Sequence, residues 1–141
     1  MMYVLDTNVV SELRKAKSGK ASPGVVAWAA SVVPGSLFIS AITVMELEMG
    51  VLQIERRDVA QGALLRAWLD QNVLPTFASR ILPVDVTVAQ RCAKLHVPDQ
   101  QSERDALIAA TALVHGMAVV TRNVQDFQAS GVAIINPWST T

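Results

Sequence analysis

The chain has 141 residues, 51% of them hydrophobic, and its 12 basic and 12 acidic residues cancel to zero net charge. That length suits one domain, expected over residues 1–141, and the balanced charge lacks the basic excess of a general nucleic-acid binder. A single cysteine, Cys92, excludes an internal disulfide and any multi-cysteine metal site.

No apolar run reaches the roughly 18 residues of a membrane span. The opening MMYVLD has no basic segment followed by an apolar stretch, so no secretory signal is expected and the expected location is cytoplasmic. The mean hydropathy of +0.34 is high. It fits a parallel sheet buried on both faces, or an apolar surface for self-association or a partner.

In chain order, residues 2–5 read as a buried strand ending at Asp6, and TNVVSELRK as a helix with Val9, Val10 and Leu13 on one side. SGKASPG is a turn. Ser22 and Pro23 form a helix start for VVAWAASVV, which Pro34-Gly35 stops. LFIS (37–40) is a second strand. A helix is expected from Thr43 to about Arg57 and another from Asp58 to about Leu74, interrupted by Pro75. Leu47, Val51, Ile54, Leu64, Leu65, Trp68 and Leu69 make an apolar stripe along this pair, for the core or a dimer seam.

ILPV (81–84) reads as a short strand that Pro83 confines to an edge, and 87–96 as a helix carrying Cys92. After the polar loop HVPDQQSER, RDALIAATALVH is a compact helix ending at Gly116. MAVVTR is a strand, NVQDFQAS a short helix and VAII a last strand before NPWSTT. Strands alternating with helices predict an α/β fold with a mostly parallel sheet.

Four acids follow strands near helix starts: Asp6, Glu46, Asp105 and Asp126. Each also has a purely structural explanation. Thr43-x-x-Glu46 reads as a capping box, Ser102-x-x-Asp105 and Asn123-x-x-Asp126 as looser versions, and Asp6 favours the positive end of the next helix. Capping acids can lie anywhere, however, whereas in a parallel sheet these would share the edge where ligands bind.

Two carboxylates about 4 Å apart repel by roughly 4 kcal/mol at an effective dielectric of 20. Convergence of at least three therefore calls for a hard divalent cation, and Mg²⁺ suits carboxylate oxygen and water. Thr7, Asn8, Thr121 and Asn123 could orient the carboxylates or waters. His96 and His115 are poor ligand candidates, His115 sitting at a helix end before Gly116. The local basic groups, Arg14, Lys15, Lys17 and Lys20, then Arg56 and Arg57, read first as solvated faces, with Arg14 and Lys15 able to assist at a phosphate site.

The strings LDTNVVSEL, SAITVMELEMGV, DALIAATA with the following VVTRN, and the closing INPW resemble the PIN-domain ribonucleases, specifically the VapC toxins and FitB proteins. VLPTFASRILPVD is also similar to FitB proteins. The resemblance covers nearly the whole chain.

It implies a three-layer α/β/α fold and a Mg²⁺- or Mn²⁺-dependent endoribonuclease, the toxin of a type II toxin–antitoxin system. It carries over Asp6, Glu46 and Asp105 as metal-binding, catalytic acids. The fourth place falls on Asn123 directly after the strand or on Asp126 three residues later. Asp126 is expected to supply the fourth charge, with Asn123 and Thr43 in supporting positions.

The resemblance also implies an RNA substrate, a homodimer, and a cognate VapB- or FitA-like antitoxin that alone contacts DNA. An alternative is a catalytically weak PIN-fold binding module acting through that partner. A haloacid-dehalogenase-type phosphotransferase would want an acid two residues after Asp6, where this chain has Asn8.

Overall fold

The computed structural model describes residues 1–139, so Thr140 and Thr141 of the expected domain lie outside the described residues. Among the described residues, five strands form one sheet: β1 (Tyr3–Leu5), β2 (Leu37–Ser40), β3 (Ile81–Leu82), β4 (Ala118–Val120) and β5 (Ile134–Ile135). Their spatial order is β3-β2-β1-β4-β5, and every pairing is parallel. Tyr3 pairs with both Leu37 and Ala118, which makes β1 the centre of the sheet.

Alternation along the strands sorts the apolar side chains onto two faces. Leu5, Ile39 and Val120 face one layer, packing with Val9, Val25, Leu47, Val51 and Leu69. Val4 and Val119 face the other, with Ile108, Ala109, Ala112 and Phe127. Helices α1 (Thr7–Leu13), α2 (Pro23–Ser31), α3 (Ala41–Arg57), α4 (Val59–Trp68) and the one-turn α5 (Leu74–Thr76) precede β3 and pack into the first layer, α4 and α5 through the half-buried Leu65, Trp68 and Leu74. Helices α6 (Val86–Leu95), α7 (Glu103–His115) and α8 (Val124–Gln128) follow, α7 and α8 facing the second layer and α6 packing outside α7. The result is the expected three-layer α/β/α sandwich.

From β1 the chain steps outward to β2 and β3, then returns across the sheet to β4 on the other side of β1. Right-handed crossovers in opposite directions put the two sets of helices on opposite faces. The reversal opens a crevice between the C-terminal ends of β1 and β4, where α/β sheets bind ligands.

Several boundaries differ from the sequence reading for identifiable reasons. Helix α3 begins at Ala41, because the Ser40 hydroxyl caps it by accepting from the Ile42 N–H at 3.0 Å. Thr43 is thus inside the helix and buried, and the Thr43–Glu46 capping box does not form. Pro75 does not end the second long helix. A π-helical turn over Leu69–Val73 widens the coil, with the Leu74 N–H donating to the Leu69 carbonyl, and Pro75 rides in the final turn.

Leu64 of the expected stripe is 66% exposed, while Leu47, Val51 and Leu69 are buried. At the α3–α4 crossing Arg66 joins Glu48, at 2.9 Å through Nη1, and Glu55, at 3.3 Å. Strand β3 stops at Leu82, before Pro83, at the sheet edge.

Candidate active site

Asp6 stands where β1 ends and α1 begins. Its N–H still donates to the Val120 carbonyl at 2.9 Å, extending the ladder to β4. Its Oδ1 accepts from the Thr7 N–H at 2.8 Å, capping α1. Its Oδ2 accepts from the Thr121 hydroxyl at 2.8 Å, with the Asn8 amide Nδ2 at 3.4 Å. Only 4% of Asp6 is exposed.

Burial and the nearby Asp105 and Glu46 carboxylates push its pKa up to about 6, against the opposing pull of the Thr121 and Thr7 hydrogen bonds. Asp6 thus caps α1 and is also desolvated beside two other carboxylates. A surface cap would not carry this desolvation.

Glu46 reaches the same place from the second turn of α3. The Thr7 hydroxyl donates to its Oε1 at 2.6 Å, and Arg104 donates to its Oε2 at 3.4 Å. The Thr43 hydroxyl, fully buried, sits 3.1 Å from that of Thr7. Asp105 comes from the first turn of α7 and is half-buried. Burial raises its pKa, with Asp126 and Glu46 adding to the rise and the Ser102 hydroxyl and Arg104 opposing it.

Asp6, Glu46, Asp105 and Asn123 line one cavity of about 400 Å³, together with Thr7 and Asn8. Asp126 does not line it. It is exposed on α8, close enough for its charge to act on Asp105. Asn123 stands on the wall, its N–H donating to the Thr121 hydroxyl oxygen at 2.9 Å. Thr121 thus serves the carboxylate of Asp6 and the turn holding Asn123.

Two further lining residues, Ser11 and Glu12, were not among the sequence candidates for the site, and Lys15, expected only as an assisting basic group, lines it as well. The signal was present, since positions 8, 11, 12 and 15 form one polar stripe opposite Val9, Val10 and Leu13. Glu12 lies below the ordinary carboxylate range because the Ser22 N–H donates to it at 2.8 Å and Lys15 pairs with it at 3.1 Å. Neither histidine joins the cavity. His96 sits 3.6 Å from the Cys92 sulfur and accepts from the Gln101 N–H at 3.1 Å.

Every side-chain donor on the wall is oxygen or amide apart from Lys15, a set that suits a hard divalent cation rather than a soft one. Among the described residues, no group of three or more His, Cys, Asp or Glu side chains is already set to hold a metal ion. The acids share a cavity without closing on one point.

Residues 3–129 match the family model described as PIN domain. The chain belongs to the PIN-domain family. It is 41% identical to the VapC ribonuclease Y4jK of Sinorhizobium fredii, over 97% of this chain and 98% of that protein. It is 40% identical to the toxin FitB of Neisseria gonorrhoeae, over 97% and 99%. Its fold is similar to the crystal structure of FitAcB from Neisseria gonorrhoeae, with a TM-score of 0.88 at 38% identity, covering 99% of this chain and 100% of that one. A structure of FitAB bound to a DNA fragment also aligns with a TM-score of 0.88, at 36% identity over 99% and 98%. Among the described residues no helix is long and apolar enough to cross a membrane.

Proposed function

We propose that this PIN-domain chain, as one domain, is the toxin of a type II toxin–antitoxin pair and an endoribonuclease that hydrolyses RNA phosphodiester bonds in the cytoplasm. The similarity to a VapC ribonuclease and a FitB toxin over nearly the whole chain supports this reading. The observation that carries it is the buried Asp6 carboxylate sharing one polar cavity with Glu46 and Asp105 at the sheet reversal. Such a cavity repels an RNA phosphate unless a cation is present, so divalent-ion dependence belongs to the proposal.

Asp6, Glu46 and Asp105 would hold Mg²⁺ or Mn²⁺ with Asn123 as an oxygen donor on the same wall, and Asp126 would add charge through Asp105. When bound, the ion supplies positive charge against the phosphate and lowers the pKa of water at neutral pH. The chain's own part is orientation. Thr121 and the Thr7 N–H fix Asp6, the Thr7 hydroxyl turns Glu46 inward, and Thr43 packs behind Thr7. Lys15 brings a positive charge to the rim, where a strand's phosphates would enter.

The cognate partner is a FitA- or VapB-like antitoxin, with DNA contacted only through it. Met45, Met49 and Leu52 are exposed at helical spacing on α3, an apolar ridge suited to a second copy in a homodimer.

The test is incubation of the purified chain with total cellular RNA, in Mg²⁺ and in EDTA, beside Asp105→Asn. Discrete cuts that require both the ion and Asp105 are expected. Equal lanes together with no divalent-ion binding by calorimetry would end the nuclease reading.

A further inference from the structure

A second hollow, of about 240 Å³, opens from the acid cavity and shares Thr7, Ser11 and Glu46 with it. Its far wall is apolar: Leu47, Val51, Ile54, Leu65 and Trp68, from α3 and α4. Arg14 also lines it, with its guanidinium 5.9 Å from the centre of the Trp68 ring. We infer that this channel receives an unpaired nucleobase of the RNA strand, next to the phosphate held at the acid cavity. The inference rests on the ribonuclease reading and adds a specificity site to it.

Three observations support a base as the occupant. A nucleotide ties its base to its phosphate through one sugar, so a base subsite must share a wall with the phosphate site, and this channel does. An aromatic face beside an arginine is how proteins hold unstacked bases, and Arg14 can also meet a flanking phosphate. The third is Gly50. It lies one turn beyond Glu46 on α3 and lines the channel, and a Cβ built there meets no atom within 4 Å. Side chains on a helix lean towards its N-terminus. Any larger residue at 50 would therefore lean over Glu46 and into the channel, which the glycine leaves open.

Because the wall is largely apolar, selection here works by stacking and size. A base paired in a duplex could not enter, so single-stranded RNA is the matching substrate.

The experiment compares the wild-type chain with Gly50→Leu and Gly50→Ala, in Mg²⁺, on single-stranded RNA with a randomised central tract. The same RNAs carrying an abasic ribose next to the cut are run in parallel. The wild-type chain is expected to favour base-bearing over abasic RNA on the order of tenfold in kcat/KM, mainly through KM. It is also expected to show a preference for base size at that position. Gly50→Leu should erase both preferences and Gly50→Ala should reduce them, with melting temperatures at or above wild type.

Identical cleavage profiles for all three proteins would overturn the inference. So would a loss on Gly50→Leu that is equal for base-bearing and abasic RNA. Weakened antitoxin binding by Gly50→Leu with an unchanged RNA profile would assign the channel to the protein partner and overturn it as well. A wild-type chain that cuts neither RNA removes the ribonuclease reading itself, an outcome distinct from a failure of the channel alone. If Gly50→Leu does not fold, Gly50→Ala carries the same comparison.

Discussion

Thr121 and Asp6 are 115 residues apart in the chain, yet the threonine hydroxyl donates to the aspartate carboxylate at 2.8 Å inside the fold. This bond crosses the point where the strand order reverses, and it favours the charged form of a carboxylate that burial disfavours. Thr121→Val keeps the shape and removes the donor. The pKa of Asp6 should then rise above about 6, so the acid limb of the pH profile for RNA cleavage moves to higher pH. Stability at neutral pH should fall by about 1.5–3 kcal/mol, the range for hydrogen bonds to charged groups. Thr121→Ser should restore both. An unmoved acid limb in Thr121→Val would disprove the coupling.

Asp6 also makes stability depend on pH in a direction opposite to most carboxylates. Its pKa is raised from 3.8 to about 6, so the folded chain binds this proton more tightly than the unfolded chain. The penalty is absent below the unfolded value, grows as pH rises between the two, and is complete above about 6. Its size is on the order of 3 kcal/mol. In EDTA, Asp6→Asn should therefore melt higher than wild type near neutral pH and show no such gain in strong acid. A gain of the same size at both pH values would mean that the variant acts by repacking. Adding Mg²⁺ should stabilise the wild-type chain near neutral pH much more than it stabilises Asp6→Asn.

Much of this arrangement is legible in the sequence, because local signals and long-range topology agree. The apolar runs ending at Asp6 and before Thr121 mark two central strands, and in a parallel sheet their ends must share an edge. The cap at Ser40 was not legible. Ser40 and Thr43 are equally good capping residues, and only the abrupt turn from β2 into α3 decides between them. The π-helical turn at Leu69–Val73 was hidden as well, since a proline normally marks a helix end and nothing local reports a widened coil. Asn123 and Asp126 could not be ranked by spacing alone. Both follow β4, and the pitch of the short α8 is what puts one on the wall and the other outside it.

Two helical glycines should respond to alanine with opposite signs. At Gly62 an added Cβ would lie 2.6 Å from the Glu55 Cα, so α3 and α4 cross as closely as they do only because this side chain is missing. Backbone cannot move aside as a side-chain tip can. Gly62→Ala should lower stability by about 1–3 kcal/mol despite alanine's better helix propensity. At Gly50 nothing lies within 4 Å, and Gly50→Ala should raise stability by roughly 0.5–1 kcal/mol. Denaturant midpoints of the two variants test this directly. A stabilised Gly62→Ala would show that the helix crossing is loose.

The two candidates for the fourth acidic place separate by charge and position. Asn123 lines the cavity without charge, whereas Asp126 carries charge outside it, next to Asp105. Asn123→Asp should therefore add a carboxylate to the wall, tightening Mn²⁺ binding and lowering stability in EDTA through added repulsion. Asp126→Asn should relieve the raised pKa of Asp105 and weaken Mn²⁺ only modestly, since an exposed charge is screened. Calorimetric titration of Mn²⁺ into both variants at low and high salt distinguishes the roles. A loss of Mn²⁺ binding in Asp126→Asn that persists at high salt would mean that Asp126 swings in and coordinates the ion directly. Asn123 would then be left as a hydrogen-bonding residue of the turn.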